Sequence, residues 1–318
     1  MGMLVDGEWQ AQDISGFVRD GQQVRFDSGF HGTVSATADD ALPPAPQRYA
    51  LYCNWTCPWS HRALVTRALK GLEEAIDLVL LEPAMGKQSW WFGESSRYRD
   101  PALGATHLHE LYVASNPAFT GRVSIPVLWD KQQRRIVSND SGAIARMFND
   151  EFNEVADHPE VDFYPPPLSK SIDELNEFVG DRLTDGVYRC LLANSQQQYE
   201  QAFDSLFEAL EHLDRMLSNS RFLLADVPTE PDWRLFACLI RFDSVYYSAY
   251  GCNLKRIVDF AHLWDYTRDL FQLPGVARTV DIDEMKAGYY AIIQPNRPVP
   301  KGPALDLEAP HNRGRLTA

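Results

Sequence analysis

The sequence predicts a chain of two parts, an α/β half followed by an all-helical half. Three observations carry this reading. Strand-type segments at residues 48–53, 76–81, 123–128 and 135–138 crowd into the first half. Helical patterns at 58–72 and 139–152 are interleaved with them. After the break at Pro165-Pro166-Pro167, apolar residues recur at helical spacing and strand signals nearly vanish. A length of 318 residues suits two domains at roughly 100–200 residues each.

Residues 1–45 carry several glycines and no sustained periodicity. They end in the stiff stretch Ala41-Leu42-Pro43-Pro44-Ala45-Pro46 and read as an arm laid over the domain that follows. Residues 48–53 (Arg-Tyr-Ala-Leu-Tyr-Cys) have strand composition. Pro58 suits the first position of the next helix, because its missing N–H would be unpaired there anyway, and Gly71 ends that helix. The apolar run 76–81 completes a strand–helix–strand unit, which implies a parallel pair with a right-handed crossover. Residues 83–121 read as a long polar and aromatic insertion. Strands 123–128 and 135–138 follow, joined so tightly that they form an antiparallel hairpin, and then the helix 139–152. The expected domains are 46–160 and 168–318. The second holds helical patterns at 172–179, 199–217, 233–246 and 263–270. Thr229-Glu230-Pro231-Asp232 reads as a capping box opening the third of them, with Asp where Glu is more common.

Composition narrows the function. Lys plus Arg number 30 and Asp plus Glu 44, a formal net charge of −14, which disfavours nucleic acid and anionic membranes as partners. Small anionic ligands stay open, since a site needs only local positive charge. The five cysteines are odd in number in a large chain and form no disulfide framework. None has zinc-site spacing, so no metal is expected. The first twenty residues lack a signal peptide's basic and apolar regions, and no window is apolar enough to span a membrane. The expected location is the cytoplasm.

The chemistry concentrates in Tyr52-Cys53-Asn54-Trp55-Thr56-Cys57-Pro58-Trp59-Ser60-His61-Arg62. Cys57 falls between a strand and a helix start. Unpaired N–H groups and the positive end of the dipole stabilise a thiolate there, and such cysteines titrate as low as roughly 3.5–7.5. Cys57 is therefore a candidate nucleophile, weighed against a buried structural cysteine. Position 60 is Ser, so the motif cannot cycle through its own disulfide, and the resolving thiol must come from a small molecule. In Val123-Ser124-Ile125-Pro126-Val127 a proline interrupts a good strand. A cis bond at Ile125–Pro126 would leave the Val123 backbone free to pair with an extended peptide. Arg122 could meet a carboxylate. At the next helix start, Ser141 could hold a carboxylate and Asp140 an ammonium, although both are also ordinary caps. Tyr188, Tyr246 and Tyr289 are aromatic positions in the helical half, and each taken alone reads first as a packing residue.

These residues bring a family into view. The β-α-β and β-β-α order with Cys57-Pro58 and the strand proline resembles the thioredoxin-like domain of glutathione transferases, and the helical half resembles their C-terminal domain. Closer still, Cys57-Pro58-Trp59-Ser60-His61-Arg62, residues 122–130 and 136–141, Asp232-Trp233-Arg234-Leu235-Phe236, Arg241-Phe242-Asp243, Cys252-Asn253-Leu254 and Pro300-Lys301-Gly302-Pro303 resemble the glutathionyl-hydroquinone reductases, the xi class. The resemblance runs from about residue 46 to about 313. It implies glutathione-dependent reduction of glutathionyl-hydroquinones, with Cys57 as nucleophile. It implies that Trp90 covers glutathione and that Arg122, Val123, Asp140 and Ser141 bind it. It implies that Tyr188, Tyr246 and Tyr289 line the quinol pocket, Tyr188 and Tyr289 acting in catalysis, and that the protein is a homodimer. Asp140 stands where the family more often has Glu, and Ser60 where it usually has Ala. An omega-like thiol transferase or dehydroascorbate reductase would use the same Cys57 on disulfides. A binding protein on the same fold would need no reactive thiol.

Overall fold

A computed structural model describes residues 2–11, 18–19, 22–23, 27–38 and 41–316. The chain forms two compact units. One gathers the N-terminal hairpin, residues 27–161 and Asp283–Asn296. The other holds Asp162–Ile282, a ribbon of two two-residue strands from the N-terminal region and the chain from Arg297 onward. The sequence-based boundary kept all of 168–318 together. The structure instead folds Asp283–Asn296 with the first unit.

The arm contributes β1 (Gly2–Val5) and β2 (Glu8–Ala11), an antiparallel pair, and the short pair β3 (Val18–Arg19) and β4 (Gln22–Gln23). Leu4 exchanges both backbone hydrogen bonds with Gly121 at 2.9 Å, and Gly32 N–H donates to Val137 O at 2.8 Å. The arm is thus bonded to the loop that precedes Arg122 and to a sheet edge.

The first unit is built on a four-stranded sheet ordered β6 (Ile76–Leu80), β5 (Tyr49–Cys53), β7 (Val127–Asp130), β8 (Arg135–Ser138). β5 and β6 are parallel, joined across α1 (Pro58–Leu69). β5–β7 and β7–β8 are antiparallel. Every residue of β5 is buried, as a central strand covered on both faces requires. Tyr49, Leu51 and Cys53 alternate toward Ala63 and Leu64 of α1 and Ile144 and Phe148 of α3 (Ser141–Asp150). Ala50 and Tyr52 alternate toward Leu108, Leu111 and Tyr112 of α2 (Leu108–Ser115). Gly71, at φ +64°, closes the turn after α1. A Cβ there would stand 2.6 Å from Asp157 Cβ. Arg48 pairs with buried Asp130 through two guanidinium nitrogens, one at 2.6 Å. Burial alone would raise the Asp130 carboxyl, but hydrogen bonds from Arg48 and the backbone of Gln132 and Gln133 hold it below the usual range.

Two expectations fail here. The strand placed at 123–128 begins only at Val127, since Pro126 brings no N–H to a ladder and Ile125–Pro126 is cis. The insertion 83–121, read as polar and aromatic with no element assigned to it, contains α2. Its apolar stripe is only Leu108, Leu111 and Tyr112, too short to show against polar flanks. Its start is fixed by Glu110, whose Oε1 accepts from the N–H groups of Thr106 and His107 at 2.9 and 2.8 Å.

The second unit is helical: α4 (Ser169–Val179), α5 (Asp185–Leu192), α6 (Gln196–Met216), α7 (Glu230–Arg241), the short α8 (Tyr247–Ala249) and α9 (Leu263–Gln272). The capping box holds, with Thr229 N–H donating to Asp232 Oδ2 at 2.8 Å. Asp232, fully buried, also accepts from Leu223 N–H at 3.0 Å and Tyr266 OH at 2.7 Å, so it ties three segments together. The helix expected over 233–246 is regular to Arg241. It then widens into a π-turn at Phe242–Tyr246, where Tyr247 N–H returns to Phe242 O. α5 was not foreseen. Neither was α10 (Ile282–Ile293), the helix that rejoins the first unit. Among the described residues no helix is long and apolar enough to cross a membrane.

Candidate active site

Cys57 is the N-cap of α1, at the end of the loop that leaves β5, and is 7% exposed. Its Sγ accepts from Ser60 N–H at 3.4 Å and lies 3.7 Å from Ile125 O. The thiol therefore takes a hydrogen bond from the first turn of the helix and faces the cis-proline turn. The approach is built by side chains that sequence inspection did not single out. Asn54 Oδ1 accepts from Cys57 N–H at 3.0 Å while Asn54 Nδ2 donates to Glu82 O at 3.2 Å. Thr56 Oγ1 donates to Pro83 O at 3.1 Å. An Asn followed by a helix start is an Asx-turn signal, the one sequence cue that could have marked Asn54.

α10 reaches the same turn. Glu284 O lies 3.4 Å from Thr56 Oγ1. A Cβ on Gly288 would fall 2.2 Å from Thr56 Oγ1 and 2.4 Å from Pro83 O, so the close approach requires glycine. Tyr289, buried, follows directly on that contact. The Glu284 carboxylate accepts from Tyr98 OH at 2.7 Å and pairs with Arg97, which fixes the start of α10 on the insertion.

The expected glutathione positions fall in the same unit. Trp90 and Val123 share an apolar cluster with Cys57 and Ile125, with Trp59 packed against it. Arg122 is half-buried at the foot of the cis-proline loop. That loop is held by Tyr112. Its hydroxyl donates to Ser124 O at 2.7 Å, accepts from Ser124 N–H at 3.1 Å and accepts from Asn139 Nδ2 at 3.1 Å. Removing this hydroxyl in Tyr112→Phe strands buried polar partners. The expected cost is about 1–3 kcal/mol in denaturant unfolding. An unchanged midpoint would show that water or a neighbour replaces the hydroxyl.

Asp140 is the N-cap of α3. It is exposed, and its Oδ1 accepts from Ala143 N–H at 2.7 Å. Ser141 Oγ accepts from an Arg62 guanidinium nitrogen at 2.5 Å, which leaves the hydroxyl proton free to be donated onward. A carboxylate at this helix start would meet the Ser141 hydroxyl and the α3 N–H groups, backed by the Arg62 charge.

Tyr188 and Tyr246 belong to the second unit. With Tyr250 they form a ring cluster, the centroids 6.5 Å apart for Tyr188–Tyr246, 5.3 Å for Tyr188–Tyr250 and 5.0 Å for Tyr246–Tyr250. Two π-turns of that unit adjoin this cluster in sequence, Gly180–Thr184 just before α5 and Phe242–Tyr246. Among the described residues, no group of three His, Cys, Asp or Glu side chains is placed to hold a metal.

Comparison with known proteins agrees with this geometry. Residues 56–151 match the glutathione S-transferase N-terminal domain and residues 196–269 the C-terminal domain. The chain is 38% identical to glutathionyl-hydroquinone reductase YqjG of Escherichia coli, covering 98% of each protein. It is 39% identical to glutathionyl-hydroquinone reductase PcpF of Sphingobium chlorophenolicum, covering 96% of this chain and 98% of that one. Among solved structures, a xi-class glutathione transferase from Natrialba magadii superposes with a TM-score of 0.91 at 40% identity, over 100% of this chain and 98% of that one. The glutathione-bound structure of YqjG gives 0.88 at 36% identity, over 98% and 99%.

Proposed function

The chain belongs to the glutathionyl-hydroquinone reductases of the glutathione transferase superfamily, and from that membership we propose that Cys57 is the residue on which its reaction turns. The protein is an enzyme that reduces glutathionyl-hydroquinones to hydroquinones at the expense of glutathione. The observation that carries the Cys57 assignment is the thiol's seat at the α1 N-cap, with Ser60 N–H directed at its sulfur.

The reaction then runs in two steps. A proton delivered to the ring carbon that bears sulfur converts the hydroquinone to its keto tautomer. The Cys57 thiolate attacks the glutathionyl sulfur, the carbon–sulfur bond breaks, and its electron pair returns to the ring, which regains aromaticity as a hydroquinone anion and takes up the proton that the second glutathione gives up on becoming a thiolate. Cys57 is left as a mixed disulfide with glutathione. A second glutathione thiolate attacks the glutathionyl sulfur, forming oxidised glutathione and returning Cys57 as thiolate. The sum is one thioether and one glutathione converted to one hydroquinone and one oxidised glutathione.

Within this reading, Ser141, Asp140, Arg122 and the Val123 backbone hold the two bound ends of glutathione, and Trp90 covers it. Tyr188 and Tyr289 manage the proton, with Tyr246 against the ring. The Asp140 carboxylate takes the γ-glutamyl ammonium while still capping α3, which its second oxygen permits. The enzyme acts as a homodimer in the cytoplasm. Light scattering at micromolar concentration tests the first statement and fractionation of the native host the second.

The deciding assay uses purified protein on glutathionyl-menadiol and on a plain glutathione mixed disulfide. Turnover of the thioether, with oxidised glutathione formed one for one, supports the reading. Turnover of the disulfide alone would replace it with an omega-like thiol transferase. A companion measurement follows alkylation of Cys57 against pH, in a variant whose other cysteines are changed to serine or alanine. The helix start predicts a midpoint below the free-thiol value of about 8.5. A midpoint at that value would remove the electrostatic part of the argument.

A further inference from the structure

Cys57 and Ser60 stand at the N-cap and third positions of α1. Side chains at those two positions meet. The cap accepts from the backbone N–H of the third residue, and the side chain of the third residue reaches back toward the cap. Half of that exchange is in place, with Ser60 N–H donating to Cys57 Sγ at 3.4 Å. The other half is open. Ser60 is wholly buried, and its Oγ has no hydrogen-bond partner among the described residues. A serine inside a helix commonly returns its proton to a carbonyl three or four residues back. Here Cys57 O accepts from His61 N–H at 3.2 Å and not from the Ser60 hydroxyl. A buried hydroxyl without a partner costs free energy.

The sulfur beside this hydroxyl changes during the reaction. A neutral thiol is a weak acceptor, and a thiolate is a strong one. Ser60 Oγ is joined to the Ser60 nitrogen through Cα and Cβ, and that nitrogen already lies 3.4 Å from Sγ. Rotation about the single Cα–Cβ bond therefore carries the hydroxyl around a point next to the sulfur.

We propose that Ser60 is a further catalytic residue, its hydroxyl turning to donate to the Cys57 sulfur whenever that sulfur carries charge. The inference rests on Cys57 being the nucleophile. The unpartnered hydroxyl disfavours the thiol, and its bond favours the thiolate, so both ends of the equilibrium press toward ionisation. The charge is present twice in each cycle. It is there before the attack on the thioether. It returns when the second glutathione thiolate bonds to the glutathionyl sulfur, the bond from that sulfur to Cys57 Sγ breaks, and its electron pair stays on Sγ. In that second step the hydroxyl stabilises the departing thiolate. The proton stays on Ser60 Oγ throughout.

Other titratable or charged groups stand around the turn. His61 and Arg62 are on α1 and Cys53 is in β5. Arg122 is on the cis-proline loop. Glu82 and Glu284 lie on segments whose backbone carbonyls take bonds from Asn54 and Thr56. All are shared by wild type and Ser60→Ala, so the difference between the two proteins isolates the hydroxyl.

The test follows alkylation of Cys57 against pH in full-length wild type and Ser60→Ala, read on the Cys57 peptide by mass spectrometry with the other cysteines in place. Ser60→Ala should raise the midpoint by roughly one unit or more, the size of a hydrogen bond to a charged group. For a one-unit rise, alkylation should be about threefold slower below both midpoints and about threefold faster above them, because the less acidic thiolate is scarcer but intrinsically more nucleophilic. Melting adds a sign. The bond holds the folded midpoint below the unfolded value of about 8.5, so its stabilisation is present above that value and lost as pH falls through the folded midpoint. Ser60→Ala should therefore melt at or above wild type at low pH and below it at about pH 9. In a Cys57→Ala background the same change should show no such crossing. An unchanged midpoint in Ser60→Ala would overturn the proposal and leave Cys57 as nucleophile, since wild-type turnover of the thioether tests that role separately. A variant that melts lower at every pH would also overturn it, by showing that the hydroxyl has a partner in the thiol form.

Discussion

Cys57→Ala should lower thioether cleavage by about 10³-fold or more, because the variant loses its only nucleophile in the helix-start motif. Position 60 is Ser, and Cys53, four residues back, is buried in β5, so no neighbouring thiol can substitute. The same variant should melt within a few degrees of wild type. Cys57 contributes a small side chain to a cluster whose bulk is Trp90, Tyr112 and Trp129, and the backbone bond from Cys57 N–H to Asn54 Oδ1 is untouched. Steady-state rates with glutathionyl-menadiol and a thermal melt measure the two halves of this statement. Retention of more than a few per cent of wild-type turnover would remove Cys57 from the mechanism. Cys57→Ser keeps a hydroxyl at the α1 N-cap, where it can activate glutathione itself. Weak conjugating activity in that variant is consistent with the assignment.

The strand–Cys-Pro–helix signal was legible because three local rules agree at one place. β5 is a run of buried residues, Pro58 fits the first helical position, and the Cys57 side chain can accept from the helix N–H groups. The cis bond at Ile125–Pro126 was legible for a related reason, since proline in an otherwise apolar strand demands a special role. What sequence could not supply was long-range delivery. α10 returns to the Cys57 turn through Gly288, and its weakly amphipathic run Met285-Lys286-Ala287-Gly288-Tyr289-Tyr290 gives no hint of where it docks. α2 was hidden by its short apolar stripe. The support given to Ser124 by Tyr112 and to Ser141 by Arg62 rests on side chains brought together from 12 and 79 residues away, which no local pattern encodes.

Tyr289→Phe and Tyr188→Phe should separate carbon chemistry from sulfur chemistry. Cleaving a glutathionyl-hydroquinone expels carbon, which leaves only when a proton has been delivered to the ring. General acid groups in that role contribute about 10²–10⁴ when fully removed. With two hydroxyls sharing the task, each single change should slow thioether cleavage by roughly tenfold or more. Reduction of a small glutathione mixed disulfide should hardly change, because a thiolate leaves without needing that proton. Tyr289 is the sharper test, as it sits one residue after the Gly288 contact on the Cys57 turn and is nearly fully buried. Tyr188 is half-buried in a three-ring cluster, so part of its loss is packing. If the tyrosines only pack, both reactions should fall together and in step with a lower melting temperature. Parallel losses of that kind would reduce the tyrosines to structural residues and leave Cys57 acting as a thiol transferase nucleophile. A loss confined to the thioether, at unchanged melting temperature, assigns the proton to the hydroxyl that was removed.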